Sequence, residues 1–254
     1  MERRQPREPR VRLPAAAPPT PPPARPPPRL SLRIASVAGV EVRVHITFLV
    51  LLALVVLGAT APEGPGLVPA LGWLVALFGC VVVHELAHSW VAIRHGIRVP
   101  EIDLLPIGGV SRLEREPDEP KVELRISAAG PIASALLGAV FAVVALVAEV
   151  DLWPPTLYGG GLLARLVWVN LLLAAFNLLP ALPLDGGRVL RALLEPRRGR
   201  PAATRQVAKI SRALAVAMVT VGIFVSLWLA IIGAFVYVGS LAEEAASGRE
   251  PQRD

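Results

Sequence analysis

An all-α polytopic membrane fold is what this sequence predicts: about six transmembrane helices, with short membrane-associated β-strands near the first span and between spans two and three. Three observations predict it. Hydrophobic residues make up 54% of the chain and charged residues only 18%, against roughly 25% charged in an average soluble domain, and the mean hydropathy is +0.55. Long apolar runs alternate with short polar segments. The cations collect in alternate connections between those runs, as membrane topology requires.

Taken in order, residues 1–30 hold 11 of the 26 prolines and seven arginines, with almost no aromatic or β-branched residues. So little apolar surface cannot offset the entropy of ordering, and the segment reads as a disordered, partly polyproline-like tail. A signal peptide needs an apolar core close behind a short basic start; here the first apolar run begins only at Ile46. Residues 31–45 alternate around Ala38-Gly39, as two short strands and a turn do. The run from Ile46 to about Pro62 is short for a span, which needs about 20 residues. Gly66 to about Arg94 is long enough. Residues 97–112 contain Pro100, Pro106 and Gly108-Gly109, which exclude a helix and suit a strand–turn–strand or re-entrant segment. Residues 114–125 are charged and read as exposed; Ile126–Val150 and Leu162 to about Pro180 form spans three and four. Residues 195–205 read as basic and soluble. Ala213–Ala242 would be about 45 Å long as one helix, more than the hydrocarbon core of about 30 Å. A hairpin around Phe224–Trp228 is the alternative.

Charge placement favours the hairpin. The loops at 61–68 and 151–160 contain no Lys or Arg, whereas the tail, 94–125 and 188–212 are rich in both. The positive-inside rule puts these three in the cytoplasm, together with the C-terminal tail bearing Arg249 and Arg253. The last run must then cross twice. The organisation expected is a cytoplasmic tail (1–30), a membrane domain (31–244) and a short cytoplasmic tail (245–254). The net charge of +6 lies in tails and connections rather than on a folded face, which argues against nucleic-acid binding. The single cysteine, Cys80, excludes an intrachain disulfide framework and reads as a small core residue.

Chemistry concentrates in VVVHELAHSW, residues 81–90. His84 and His88 are four apart, so on a helix they share a face and can ligate one metal ion, with Glu85 beside it to take a proton from a water. Ionisable groups inside a membrane cost roughly 2.5–3.5 kcal/mol each on insertion scales. Three of them in an apolar helix need a partner, and a metal is the natural one. Catalytic zinc takes three protein ligands and keeps the fourth position open. Only five aspartates are available for the third ligand. Of these, Asp185 lies at the end of the fourth span, in NLLPALPLDGG (177–187), where two prolines and two glycines break the helix. Irregular backbone at membrane depth is tolerated only where it lines a cavity. His84 and Asp185 also fall at similar depth, in the inner half of the bilayer. An aspartate that merely caps a helix from Gly186 onward is the bland alternative. His45 reads as interfacial or capping. His95 reads as a cation at the end of the second span.

HELAHS in the second run, GGVSRL, AAGPIAS at the start of the third, and NLLPALPLDGGR together resemble the site-2 protease family of intramembrane zinc metalloproteases over about residues 31–244. The likeness is to the compact six-span prokaryotic type, without CBS or PDZ modules. It implies one zinc held by His84, His88 and Asp185, with Glu85 as catalytic base. Asn177 resembles a residue assigned to substrate or oxyanion contact; a helix–helix hydrogen bond is the alternative. Gly108-Gly109 suit an edge strand that takes up an unwound substrate segment by β-addition, or a tight turn. Ser134 stands where some relatives have Asn. The expected substrate is a single-span membrane protein, such as an anti-sigma factor or a membrane-held transcription regulator, cleaved in the plasma membrane of a prokaryote. A metal-binding transporter is less suited, because no internal repeat is visible and a base is more than transport needs. A catalytically inert scaffold would have no use for the full ligand set.

Overall fold

The computed structural model describes residues 30–106, 108–153 and 161–247. Residues 1–29 of the Pro/Arg-rich tail expected at 1–30, and residues 248–254 of the tail expected at 245–254, lie outside them. The elements run β1 (Ser31–Val37), β2 (Val40–His45), α1 (Phe48–Ala59), α2 (Leu67–Arg94), β3 (Glu101–Leu105), β4 (Gly108–Arg112), α3 (Pro120–Val147), α4 (Leu162–Asn177), α5 (Asp185–Arg198), α6 (Arg200–Val225) and α7 (Leu227–Ser247).

Four helices, α2, α3, α6 and α7, are long and apolar enough to cross a membrane. Two more are apolar but shorter: α1 with 12 residues and α4 with 16, about 18 and 24 Å. β2 closes off α1 at one end, and Pro180 prevents α4 from continuing. On α3, Leu136, Val140, Val143 and Val147 form one exposed apolar stripe at helical spacing, as a lipid-facing surface would. The last apolar run is a hairpin: α6 ends at Val225 and α7 starts at Leu227, with extended Ser226 between them. No proline makes this turn. Close packing does, since a Cβ added at Gly222 would lie 2.3 Å from Ala230 N and one at Gly233 2.9 Å from Ala215 O.

The strands form one sheet in the order β1-β2-β3-β4, with β2 and β3 parallel and the outer pairs antiparallel. Ala38 and Gly39, both at positive φ, make the first turn. Register gives the sheet two unlike faces. Val40, Val42, Val44, Ile102 and Leu104 face the helices and pack with Phe78 and Phe48. The other face carries a charge ladder, in which Arg43 bridges Glu41 (3.0 Å) to Glu101 (3.7 Å) and Arg112 reaches Asp103 (2.9 Å). The strand–turn–strand reading of 97–112 therefore holds.

One segment departs from expectation, and another takes a form its composition left open. Residues 114–125 are not all exposed: α3 starts at Pro120, and Glu123 is buried (3%) against Arg191, itself 4% exposed. Two opposite charges can be buried together because their mutual attraction and hydrogen bonds offset the cost of removing each from water. Burial opposes the Arg191 charge, but Glu123, with Glu243 and Glu116 farther off, holds its pKa above the ordinary value. Residues 195–205 are helical, belonging to the end of α5 and the start of α6, with Gly199 at positive φ between them.

Candidate active site and metal centre

His84 and His88 lie one turn apart on the buried face of α2, at 3% and 7% exposure. The local sequence supplies the helix; packing supplies the aim of the rings. The His88 Nδ1 is 2.6 Å from the Ile126 carbonyl of α3. A carbonyl only accepts, so Nδ1 carries the proton and the neutral ring keeps its lone pair on Nε2. The His84 Nδ1 lies 2.9 Å from Ser134 Oγ, and a hydroxyl can accept as well, which permits the same tautomer.

Asp185 arrives from the other side. After α4, the chain from Leu178 to Leu184 folds back tightly, with the Leu182 N–H donating to Ser211 Oγ of α6 at 2.8 Å. The two glycines after Asp185 are required by this turn. A Cβ on Gly186 would lie 2.3 Å from the Leu178 carbonyl oxygen, and one on Gly187 2.5 Å from the Ala181 carbonyl carbon. Asp185 thus opens α5 and also points at the histidines.

The three ligand atoms form a nearly regular triangle. His84 Nε2, His88 Nε2 and Asp185 Oδ2 are each 3.2 Å from the other two. Zinc bonds of about 2.0–2.1 Å in tetrahedral geometry put ligands roughly 3.3–3.4 Å apart, so the donor set and its spacing fit zinc. The α3 backbone leaves room here only because residue 130 is glycine. A Cβ at Gly130 would lie 2.1 Å from His88 Nε2 and 2.6 Å from His84 Nε2.

Glu85 faces β4. Its Oε2 accepts a 2.6 Å hydrogen bond from Ser111 Oγ, and Ser89 Oγ donates to its main-chain oxygen at 2.9 Å. A Cβ on Gly109 would lie 2.5 Å from Glu85 Cγ. Gly109 is therefore a point of close approach between strand and helix, whereas Gly108 has open space around it at φ +142°. A cavity of about 170 Å³ runs beside Ser111 and is lined by Leu113, Glu123, Ile126, Arg188 and Arg191.

Other expected residues lie elsewhere. Asn177 ends α4, and its Nδ2 donates to the Leu173 carbonyl of the same helix at 3.0 Å, a local contact rather than an interhelical one. His45 pairs with Thr47, the N-cap residue of α1, through its hydroxyl and N–H, and α1 has no side-chain cap. His95 ends α2 as expected. Its Nδ1 bonds the Val91 carbonyl (2.9 Å) and its Nε2 faces the Arg125 guanidinium (3.3 Å). Ser111 and Ser134 lie in the GGVSRL and AAGPIAS stretches, but neither their roles as partners of Glu85 and His84 nor that of the Ile126 carbonyl is read from the sequence. Ser111 and Ser134 lie 26 and 50 residues from their partners.

Comparison with known proteins matches these features. Residues 72–154 and 160–221 fit the profile of peptidase family M50. This chain belongs to peptidase family M50. A zinc metalloprotease of Methanocaldococcus jannaschii is 37% identical over 217 residues, 84% of this chain and 60% of the relative. Rip3 of Mycobacterium tuberculosis is 35% identical over 238 residues, 85% of this chain and 59% of the relative. The chain spans about three fifths of the length of these curated relatives. The solved site-2 protease from Methanocaldococcus jannaschii matches with a TM-score of 0.65 at 34% identity, over 88% of this chain and 98% of that one. The M50 matches cover HELAHS, AAGPIAS and the Asp185 loop.

Proposed function

We propose that this M50 chain is an intramembrane zinc metalloendopeptidase that hydrolyses peptide bonds in or near the transmembrane segment of a single-span membrane protein. The observation that carries the reading is the 3.2 Å triangle of His84, His88 and Asp185 next to Glu85, with the histidines and Glu85 on α2, a helix long and apolar enough to cross a membrane. When bound, zinc supplies a Lewis acid that polarises the scissile carbonyl and lowers the pKa of water. His84, His88 and Asp185 hold the metal. Glu85 takes a proton from the attacking water and passes it to the leaving amine as the C–N bond breaks. Its Oε1 is the oxygen for this task, because among the described residues only Oε2 is engaged by a donor.

The substrate must be unwound, since a helix hides its backbone. Gly108 and Gly109 on β4 offer a strand edge for an extended segment, which β-addition would hold by main-chain hydrogen bonds. Asn177 could donate to the developing oxyanion once its amide leaves the Leu173 carbonyl. With α1 and α4 as short crossings, the chain would span the membrane six times. Its cation-rich segments, and the cavity beside Ser111, would then face the cytoplasm, from which water enters. Anti-sigma factors and membrane-held transcription regulators are the substrate class that the family resemblance suggests.

The test compares wild type and Glu85→Gln in liposomes on an unwinding-prone transmembrane substrate, with zinc counted per chain. Cleavage by wild type alone, with about one zinc in both, is expected. Equal cleavage by both proteins removes Glu85 as base, and absence of zinc removes the metal site.

A further inference from the structure

Strand β4 breaks the pattern of its sheet. Register pairs Gly109 with Leu104 and Ser111 with Ile102, so these two positions point the same way as a fully buried isoleucine and a buried leucine. A strand position facing a hydrophobic core normally holds an apolar side chain, and departures from such local rules concentrate at functional sites. Here the departure has a target. Ser111 Oγ is 2.6 Å from Glu85 Oε2 and 3.4 Å from both the Glu85 carbonyl and Ser89 Oγ. Ser89 already gives its proton to the Glu85 carbonyl at 2.9 Å. The Ser111 proton is therefore committed to the carboxylate, as a charge-assisted bond. Gly109, two residues back on the same face, brings the strand backbone against the Glu85 side chain.

We infer that Ser111 is a positioning residue for Glu85: by holding Oε2, it fixes the carboxylate rotamer and leaves Oε1 to receive the proton. It does so from the strand proposed to seat the substrate, so seating a peptide on β4 and aiming the base are mechanically one event. The inference rests on the metalloendopeptidase reading for its catalytic meaning, but the contact itself does not.

The experiment uses Ser111→Ala and Ser111→Thr in the full chain, each also paired with Glu85→Gln. The infrared difference between each protein and its Glu85→Gln counterpart isolates the Glu85 carboxylate band in zinc-free protein. That band should shift in Ser111→Ala and return in Ser111→Thr. In zinc-loaded protein, Ser111→Ala should keep about one zinc and a KM within about twofold of wild type. Its kcat should fall about 10- to 100-fold, and Ser111→Thr should recover most of the loss. An unmoved band overturns the inference, as does an unchanged kcat or a loss of zinc in Ser111→Ala. Failure of the protease reading looks different: wild type and Glu85→Gln would then be equally inactive while the band still shifts.

Discussion

Replacing Gly130 with alanine adds one methyl group at the most crowded point of the molecule. Its Cβ would lie 2.1 Å from His88 Nε2, where nonbonded carbon contact needs about 3.4 Å or more, an overlap of about 1.3 Å. Metal sites tolerate ligand displacements of about 0.2 Å. The methyl sits among the atoms that must converge on zinc, so α3 or the rings have to retreat several times farther than that. Zinc affinity should fall by at least about 100-fold, the upper end of what losing an indirect ligand contact costs. The helix itself is not weakened, because alanine favours a helix over glycine by about 0.8–1.0 kcal/mol. The assay is zinc per chain after equilibration with a competing chelator, alongside helicity by circular dichroism. Gly138→Ala, in the same helix, is the control: its Cβ would approach Asn170 Cβ at 3.3 Å, and zinc should stay. Full zinc occupancy at unchanged affinity in Gly130→Ala would refute the packing of α3 on the two imidazoles.

Further outcomes follow from the same geometry. Gly109→Ala should retain zinc but lose most of its kcat, since the new methyl would drive into Glu85 Cγ at 2.5 Å; parallel zinc and cleavage measurements separate the two effects. Ser134→Ala should lower zinc affinity about 10- to 100-fold, because His84 loses its only Nδ1 partner among the described residues, and a chelator titration reads this directly. Arg191→Met should destabilise the protein, by about 3 kcal/mol, because buried Glu123 then keeps only its longer 3.5 Å pairing with Arg200. The double variant Arg191→Met/Glu123→Leu should recover most of that loss in thermal denaturation. Zinc removal by chelator should lower the midpoint of unfolding in wild type, because zinc binds only the folded arrangement, and leave it unchanged in His84→Ala.

The candidate metal ligands were legible because their signals are local. His84, Glu85 and His88 share one turn of helix, and Asp185 sits among helix breakers that have no other reason to follow an apolar run. The strand pairs were legible from alternation and from Ala38-Gly39. What stayed hidden is pairwise and distant. Nothing around Glu123 announces a buried partner 68 residues away, and Ser111 and Ser134 become meaningful only once register and helix packing are known. The start of α3 did leave a trace: proline in its first turn, ahead of the apolar run, is a helix-start signal. The helical state of 195–205 left less, because its arginines fit a loop and a helix end equally well.

The single residue at Ser226 bears on how the protein is made. With one residue, Ser226, between them and with Gly222 held against Ala230, the last two helices form a single packed unit rather than two independent segments. Each covers the other's small-residue face, so a helix pair of this kind would be expected to enter a membrane as a unit rather than helix by helix. A ribosome stalled between them would leave α6 without the surface it was built to meet.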